Sequence, residues 1–264
     1  MDLKIKGKKV FITGSTSGIG FATARIFLEE GAVVYINGRS SSSVNEAIQK
    51  LKSAIPQAAV FGIVADFKST DAVKECIRIL PKTDILINNV GIYSSKSFFE
   101  TDSATWLEQF QVNLLSGVEL AQHYLKGMLE HNEGRIVFVS SECAYLVPQD
   151  MISYSSTKAA IHALSKGLSH LTKGTQVTVN VVVPGSTLSQ GAKQFLKEKA
   201  QVEKTNADEV EALFFRNERT TSLLQRFAET KEIGTTIAYL CSPLASATNG
   251  SVVKVDGGSS GGIF

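Results

Sequence analysis

Short apolar runs rich in Val and Ile recur along this chain, and each is followed by a stretch with helical spacing. No other feature narrows the fold as much. The runs are KKVFIT (8–13), AVVYIN (32–37), AAVFGIV (58–64), DILIN (84–88), RIVFVS (135–140) and VTVNVVV (177–183). A strand covered on both faces has no polar side to show, so its pattern is nearly continuous rather than alternating. Between the first two runs, GIGFATARIFLEEG puts Ile19, Ala22, Ile26 and Phe27 on one helical face and stops at Gly31, a residue suited to the left-handed turn that ends a helix. SSVNEAIQKLKSA and STDAVKECIRIL follow, with Ser and Thr near N-cap positions. Two longer helical stretches cover about 103–131 and 151–171, and SVVKVDGG supplies a last strand. Strands alternating with helices predict α/β architecture: a Rossmann-type, doubly wound parallel sheet of about seven strands with helices on both faces.

No repeat, low-complexity tract or Pro/Gly linker divides the 264 residues, so 1–264 reads as one domain. The segment 186–224 breaks the rhythm: it is charged, helix-prone and lacks a strand, as an insertion after the sixth strand would be. A formal net charge of +2 gives no push toward nucleic acid or an anionic membrane. The basic start MDLKIKGKKV lacks the apolar run of a secretion signal, and no stretch approaches the ~18 apolar residues of a membrane span. Cys76, Cys143 and Cys241 are dispersed and odd in number, which suits a reducing, cytoplasmic setting. They form no metal-ligand pattern with His123, His131, His162 and His170, so no metal is expected.

The first motif is TGSTSGIG, Thr13–Gly20, between the first strand and the first helix. Small residues there let the backbone approach a pyrophosphate, and the helix start offers free N–H groups and a positive dipole end. The second strand ends in YINGRS. Where an acid would bind the ribose 2′-hydroxyl of NAD, this chain has Gly38, followed by Arg39. A guanidinium can pair with a 2′-phosphate, which favours NADP(H) with NAD(H) as the alternative, and Gly38→Asp should turn such a site toward NAD. Asp66 in VADF can accept from an adenine amino group or cap the next turn. NNVG, Asn88–Gly91, ends the fourth strand at the edge that faces the ligand crevice of such sheets.

The chemistry rests on Ser141, Tyr154 and Lys158. Positions i and i+4 share a helix face, and an ammonium beside a phenol favours phenolate, lowering a pKa that starts at about 10. Alone, Tyr-x-x-x-Lys also describes two solvated residues of a polar face. Ser141 upstream, Asn113 on another helix and the glycine turn are what single the pair out.

These residues together resemble the short-chain dehydrogenase/reductase family nearly end to end, apart from 186–224: TGxxxGIG at 13–20, Asp66, NNxG at 88–91, Asn113, Ser141, Tyr154-x-x-x-Lys158 and PG at 184–185. Val90 departs from the family's usual Ala. The C-terminal region resembles a bacterial branch whose members are mostly named only as oxidoreductases. The resemblance implies that Tyr154 is the acid/base in carbonyl–alcohol interconversion and that Lys158 lowers its pKa and binds the nicotinamide ribose. Ser141 would orient the substrate carbonyl and Asn113 would hold a water. It implies cofactor contacts at Gly14, Ser15, Thr16, Ser17, Gly18, Ile19, Gly20, Asn37, Arg39, Ser40, Asp66, Phe67, Asn89, Val90, Gly91, Pro184, Gly185 and Thr187. The small residues Ser155, Ser156, Thr157 and Ala159 would let a ribose lie close to the helix.

The resemblance also implies a homo-oligomer, dimer or tetramer, and a substrate lid at 186–224. There Phe195, Leu196, Leu213, Phe214 and Phe215 either roof a hydrophobic pocket or anchor the lid to the body. His162 is expected to pack rather than act, and Cys143 to be a pocket wall rather than a reactive thiol. The alternatives to an NADP(H)-dependent enzyme are an NAD-dependent alcohol dehydrogenase of the same family and a dinucleotide sensor without catalysis.

Overall fold

The computed structural model describes residues 2–262. Seven strands form one sheet: β1 (Lys9–Ile12), β2 (Val33–Gly38), β3 (Val60–Val64), β4 (Ile85–Asn88), β5 (Gly134–Val139), β6 (Val177–Pro184) and β7 (Val252–Val255). Their order is β3-β2-β1-β4-β5-β6-β7, and every pair is parallel. The order reverses between β1 and β4, where open α/β sheets form their ligand crevice. Each of the first six strands lies within one or two residues of its expected place, and β7 stops three residues before the end of SVVKVDGG.

Among the described residues ten α-helices accompany the strands: α1 (Gly18–Glu29), α2 (Ser41–Ala54), α3 (Ala72–Ile79), α4 (Ser103–Phe110), α5 (Ser116–Glu130), α6 (Cys143–Leu146), α7 (Ile152–Leu171), α8 (Gln190–Glu203), α9 (Ala207–Asn217) and α10 (Thr230–Cys241). Gly31 takes φ +77° just past the end of α1, as its position suggests. Asp71, not the preceding Ser or Thr, precedes α3. The expected helix over 103–131 is instead α4 and α5 joined by a π turn at Gln111–Leu115.

Alternate residues of the central strands feed two cores. Val10 and Ile12 of β1, Ile85 and Ile87 of β4, and Val137 and Val139 of β5 join one cluster with Phe27 of α1, Leu51 of α2 and Ile237 of α10. Phe11, Leu86, Ile136 and Phe138 face the other way, onto Cys76 of α3, Leu120 and Tyr124 of α5 and Ile161 of α7. Burial on both sides explains why these strands read as continuous apolar runs.

A third, smaller cluster lies apart from both. Leu196 and Ala200 of α8, Val210 and Phe215 of α9, and Phe227 form it. Phe214 stacks on Phe227 at 5.0 Å and Phe215 meets the same ring edge-on at 5.2 Å. Of the two roles open to the apolar residues of 186–224, Leu196, Phe214 and Phe215 anchor the segment in a core shared with Phe227, while Phe195 is exposed. Among the described residues no helix is long and apolar enough to cross a membrane.

Candidate active site

The turn between β1 and α1 is fixed by hydrogen bonds that leave its outer face clear. Thr13 Oγ1 accepts from the backbone of Asn89 (2.9 Å) and Val90 (3.0 Å). Asn89 Nδ2 donates back to the carbonyls of Thr13 and Gly14. Gly14 and Gly18 take φ of +58° and +60°, a region that penalises any Cβ. At Gly20 a Cβ would lie 2.6 Å from Asn89 Nδ2 and 2.8 Å from Gly14 O, so this glycine seats α1 against the strands. Ser17 precedes α1 without a side-chain cap, and the first turn carries no acid. A helix start left open in this way suits an anion.

The expected cofactor residues divide into two groups. Thr16, Ser17, Ile19, Arg39, Asp66, Asn89, Val90 and Gly91 line a cleft of about 350 Å³ with Gly14. Ser15 and Asn37 serve the turn itself. Ser15 Oγ donates to Ile12 O (2.6 Å) and accepts from Asn37 N, and its N–H donates to Asn37 O. Asn37 Oδ1 accepts from Gly14 N, while Nδ2 donates to Ile63 O and Ala65 O. Both side chains are buried and fully occupied, so they brace the cleft rather than offer groups to a ligand. Ser40 accepts from Ser43 N at the start of α2. Phe67 borders the cleft, but its side chain is buried in the core. Asp66 accepts from Lys68 N, the capping role open to it.

Arg39 is exposed at the cleft edge. Gly38 is more than a missing acid: a Cβ there would lie 2.5 Å from Thr16 Cγ2 and 3.0 Å from Val44 Cγ2. Gly38→Asp would therefore disturb the glycine turn while adding its charge, and Arg39 is the cleaner position to change.

A second cleft, of about 210 Å³, continues the first, sharing Ile19, Asn89, Gly91 and Ser189. It holds Ser141, Tyr154, Lys158, Pro184, Gly185 and Thr187. Lys158 is 3% exposed, and its Nζ donates to Val139 O at 2.9 Å and lies 5.7 Å from the centre of the Tyr154 ring. Gly91 makes room for it, since a Cβ there would lie 3.2 Å from Nζ. Asn113 sits in the π turn, an irregularity common at functional sites. Its Oδ1 accepts from Ile92 N (2.7 Å), and its Nδ2 donates to Ile92 O and Thr157 Oγ1. Asn113 thus ties the loop after β4 to α7. Thr157 and Ser155 are buried against the body, so they do not provide the open helix face expected of them. Gly185 packs on the end of β7, where a Cβ would lie 2.7 Å from Asp256 Cα.

The electrostatics differ from the sequence expectation. Burial pushes the Tyr154 phenol above its ordinary range, reinforced by Cys143 and opposed by a Ser141 hydrogen bond. Burial also brings Lys158 down from 10.5 to about 8. Spacing correctly placed an ammonium near the phenol, but burial of each group, not the pairing, sets the direction of both shifts. Cys143 Sγ is likewise raised by burial, as an unreactive thiol would be, but it is buried behind Ser141 and does not line the cleft as the expected wall.

Sequence reasoning passed over several contributors. Tyr93 meets the Tyr154 ring edge-on at 6.0 Å. Ser140 Oγ donates to Lys158 O, so His162 Nε2, 2.9 Å away, donates to Ser140. His162 therefore packs and braces α7, as expected. Thr13 was findable as the one hydroxyl opening the glycine motif; the others carry no local signal. Larger recesses exist, including one of about 440 Å³ lined by Lys9, Asp84 and His123, but it lies away from the Ser141, Tyr154 and Lys158 cleft.

The chain matches the family model for short chain dehydrogenases over residues 8–200. It is 40% identical over 264 residues to YvaG, an uncharacterized oxidoreductase of Bacillus subtilis (strain 168), covering 100% of both chains. It is 30% identical to the 3-oxoacyl-[acyl-carrier-protein] reductase FabG of Aquifex aeolicus, covering 98% of this chain and 99% of that one. Among solved structures, the L-sorbose reductase of Gluconobacter frateurii complexed with NADPH and L-sorbose superimposes with a TM-score of 0.92, at 28% identity and full coverage of both chains.

Proposed function

The chain belongs to the short-chain dehydrogenase family, and on that premise we propose that it is an NADP(H)-dependent oxidoreductase interconverting a carbonyl and an alcohol. The observation that carries the reading is the meeting of Ser141, Tyr154 and Lys158 in a cleft continuous with the glycine-turn cleft. In this reading the free start of α1 takes the pyrophosphate, and Arg39 takes the 2′-phosphate by a charge-assisted contact. The cofactor, when bound, supplies or accepts the hydride.

Tyr154 gives its proton to the carbonyl oxygen during reduction and recovers it during oxidation. Ser141 donates to the same oxygen and orients it. Lys158 stands under the phenol and favours phenolate when charged, and Asn113 holds the Ile92 loop and α7 at the spacing this requires. The residues 1–264 act as one domain, with α8 and α9 as its substrate lid. The NADPH-bound sorbose reductase supports the cofactor preference by likeness. Exposed Leu107 and Leu171 on α4 and α7 support contacts in a homo-oligomer, and the dispersed thiols support a cytoplasmic setting.

The test is turnover of NADPH with ketones, sugar ketones and 3-oxoacyl thioesters by wild type and Tyr154→Phe. The variant should lose roughly 10²- to 10⁴-fold in kcat, the usual worth of a positioned acid, and retain cofactor affinity. Undiminished turnover in Tyr154→Phe would remove the phenol from the chemistry.

A further inference from the structure

Glu142 follows Ser141 at the end of β5 and is 3% exposed. Its N–H donates to Pro184 O at 2.8 Å, which fixes the residue between Ser141 and the stretch that begins at Pro184. Its Oε1 accepts from Ser186 Oγ at 2.9 Å and from Arg219 Nε at 3.1 Å. Arg219 lies 77 residues further on, just past α9, and its guanidinium sits over the Phe214 ring at 5.5 Å. Oε2 is buried and makes no hydrogen bond among the described residues.

An ion pair this enclosed is a poor source of stability. Desolvating two charges costs several kcal/mol per ion, and apolar replacements are often as stable. What such a pair does provide is a defined position, because either charge buried alone is worse than both together. That matters here because α8 and α9 pack on a core of their own. Phe227, which shares that core, links it to the chain entering α10, where Phe227 N donates to Glu211 Oε1 (2.7 Å) and Leu188 N to Ala228 O (2.8 Å). The segment's trailing end is tied by Leu223 N and Leu224 N to Gly257 O, and by Thr221 Oγ1 to Ser259 O. The Glu142–Arg219 pair is the tie beside Ser141.

We propose that Glu142 is a positioning residue: through Arg219 and Ser186 it fixes the α8–α9 segment against the end of β5, one residue from Ser141, and so sets the substrate side of the site. The proposal rests on reading the Ser141–Tyr154 cleft as a carbonyl–alcohol site. Breaking the pair should move the segment and weaken carbonyl binding, while the glycine-turn end keeps its cofactor affinity.

The experiment compares wild type, Glu142→Gln, Arg219→Met and Arg219→Lys by hydrogen exchange, NADPH titration and steady-state kinetics. Exchange across 207–224 should accelerate about tenfold in Glu142→Gln and Arg219→Met, as expected when a local opening becomes easier. Arg219→Lys, which keeps a charge, should fall nearer wild type. The KM for the carbonyl should rise about tenfold with kcat within roughly threefold, the pattern of lost ground-state binding, and NADPH affinity should stay within about twofold of wild type. Unchanged exchange in Glu142→Gln and Arg219→Met would overturn the proposal, as would cofactor affinity falling in step with KM. Should Glu142→Gln fail to fold, Arg219→Met decides alone, since that side chain is 19% exposed. Absence of turnover in wild type would count against the carbonyl reading and leave the exchange comparison to judge the positioning role.

Discussion

The two ends of the groove are built differently. At the glycine-turn end, Ser15, Asn37, Thr13 and Asn89 knit β1, β2, β3 and β4 together by hydrogen bonds among buried groups. The flanking strands and α1 belong to the main cores. At the other end, α8 and α9 share a small core with Phe227 and meet the Ser141 region through an ion pair. The first end cannot change shape without unpicking the sheet. The second rests on a small core and on ties at Ala228 and Gly257 that lie beyond the strands. Under the proposed function, such a build separates cofactor binding from substrate binding.

Removing one aromatic from the main core and one from the small core should separate the two behaviours most strongly. Phe27→Ala, in the core under α1, should cost about 3–5 kcal/mol of global stability, read as a lower denaturant midpoint and weaker NADPH binding. Phe215→Ala opens the small core. Its cost should stay local: several-fold higher KM for the carbonyl, NADPH affinity within about twofold, and faster exchange confined to α8 and α9. Equal effects on cofactor and carbonyl in Phe215→Ala would break the distinction.

A smaller effect should come from Lys158 in the cofactor-free protein. Folding brings its pKa from 10.5 to about 8. Between those values the unfolded chain holds the proton more often than the folded one, so stability rises with pH across that window. The slope is at most about 1.4 kcal/mol per pH unit for one group. Tyr154, raised by burial, opposes this only above about pH 10, where an ordinary phenol would ionise. Urea unfolding at pH 7 to 10 should show a steeper rise in wild type than in Lys158→Met. Parallel curves would mean that Lys158 is not desolvated as described.

The fold was legible because each buried strand carries its own signal. VTVNVVV can be read without knowing what covers it, and so can the Gly31 stop after α1. The residues that meet in the second cleft were legible by order and spacing, as Tyr154 and Lys158 show. Three features were not. The π turn around Asn113 depends on the loop at Ile92 and on Thr157, partners distant in sequence. The direction of the Tyr154 shift depends on burial, which i, i+4 spacing does not report. Glu142 and Arg219 are joined only by the folded chain, and neither stands in a motif. In each case the missing information was a tertiary neighbour.

Arg39 is the exposed charge at the glycine-turn end of the groove. Calorimetric titration of NADPH and NADH into wild type and Arg39→Ala tests the account most directly. A hydrogen bond to a charged group contributes about 1.5–3 kcal/mol, which is roughly ten- to hundredfold in affinity. Wild type should prefer NADPH by about that factor, and Arg39→Ala should lose the preference while binding NADH as before. Equal affinity of wild type for the two cofactors, or an Arg39→Ala variant that still favours NADPH, would contradict it.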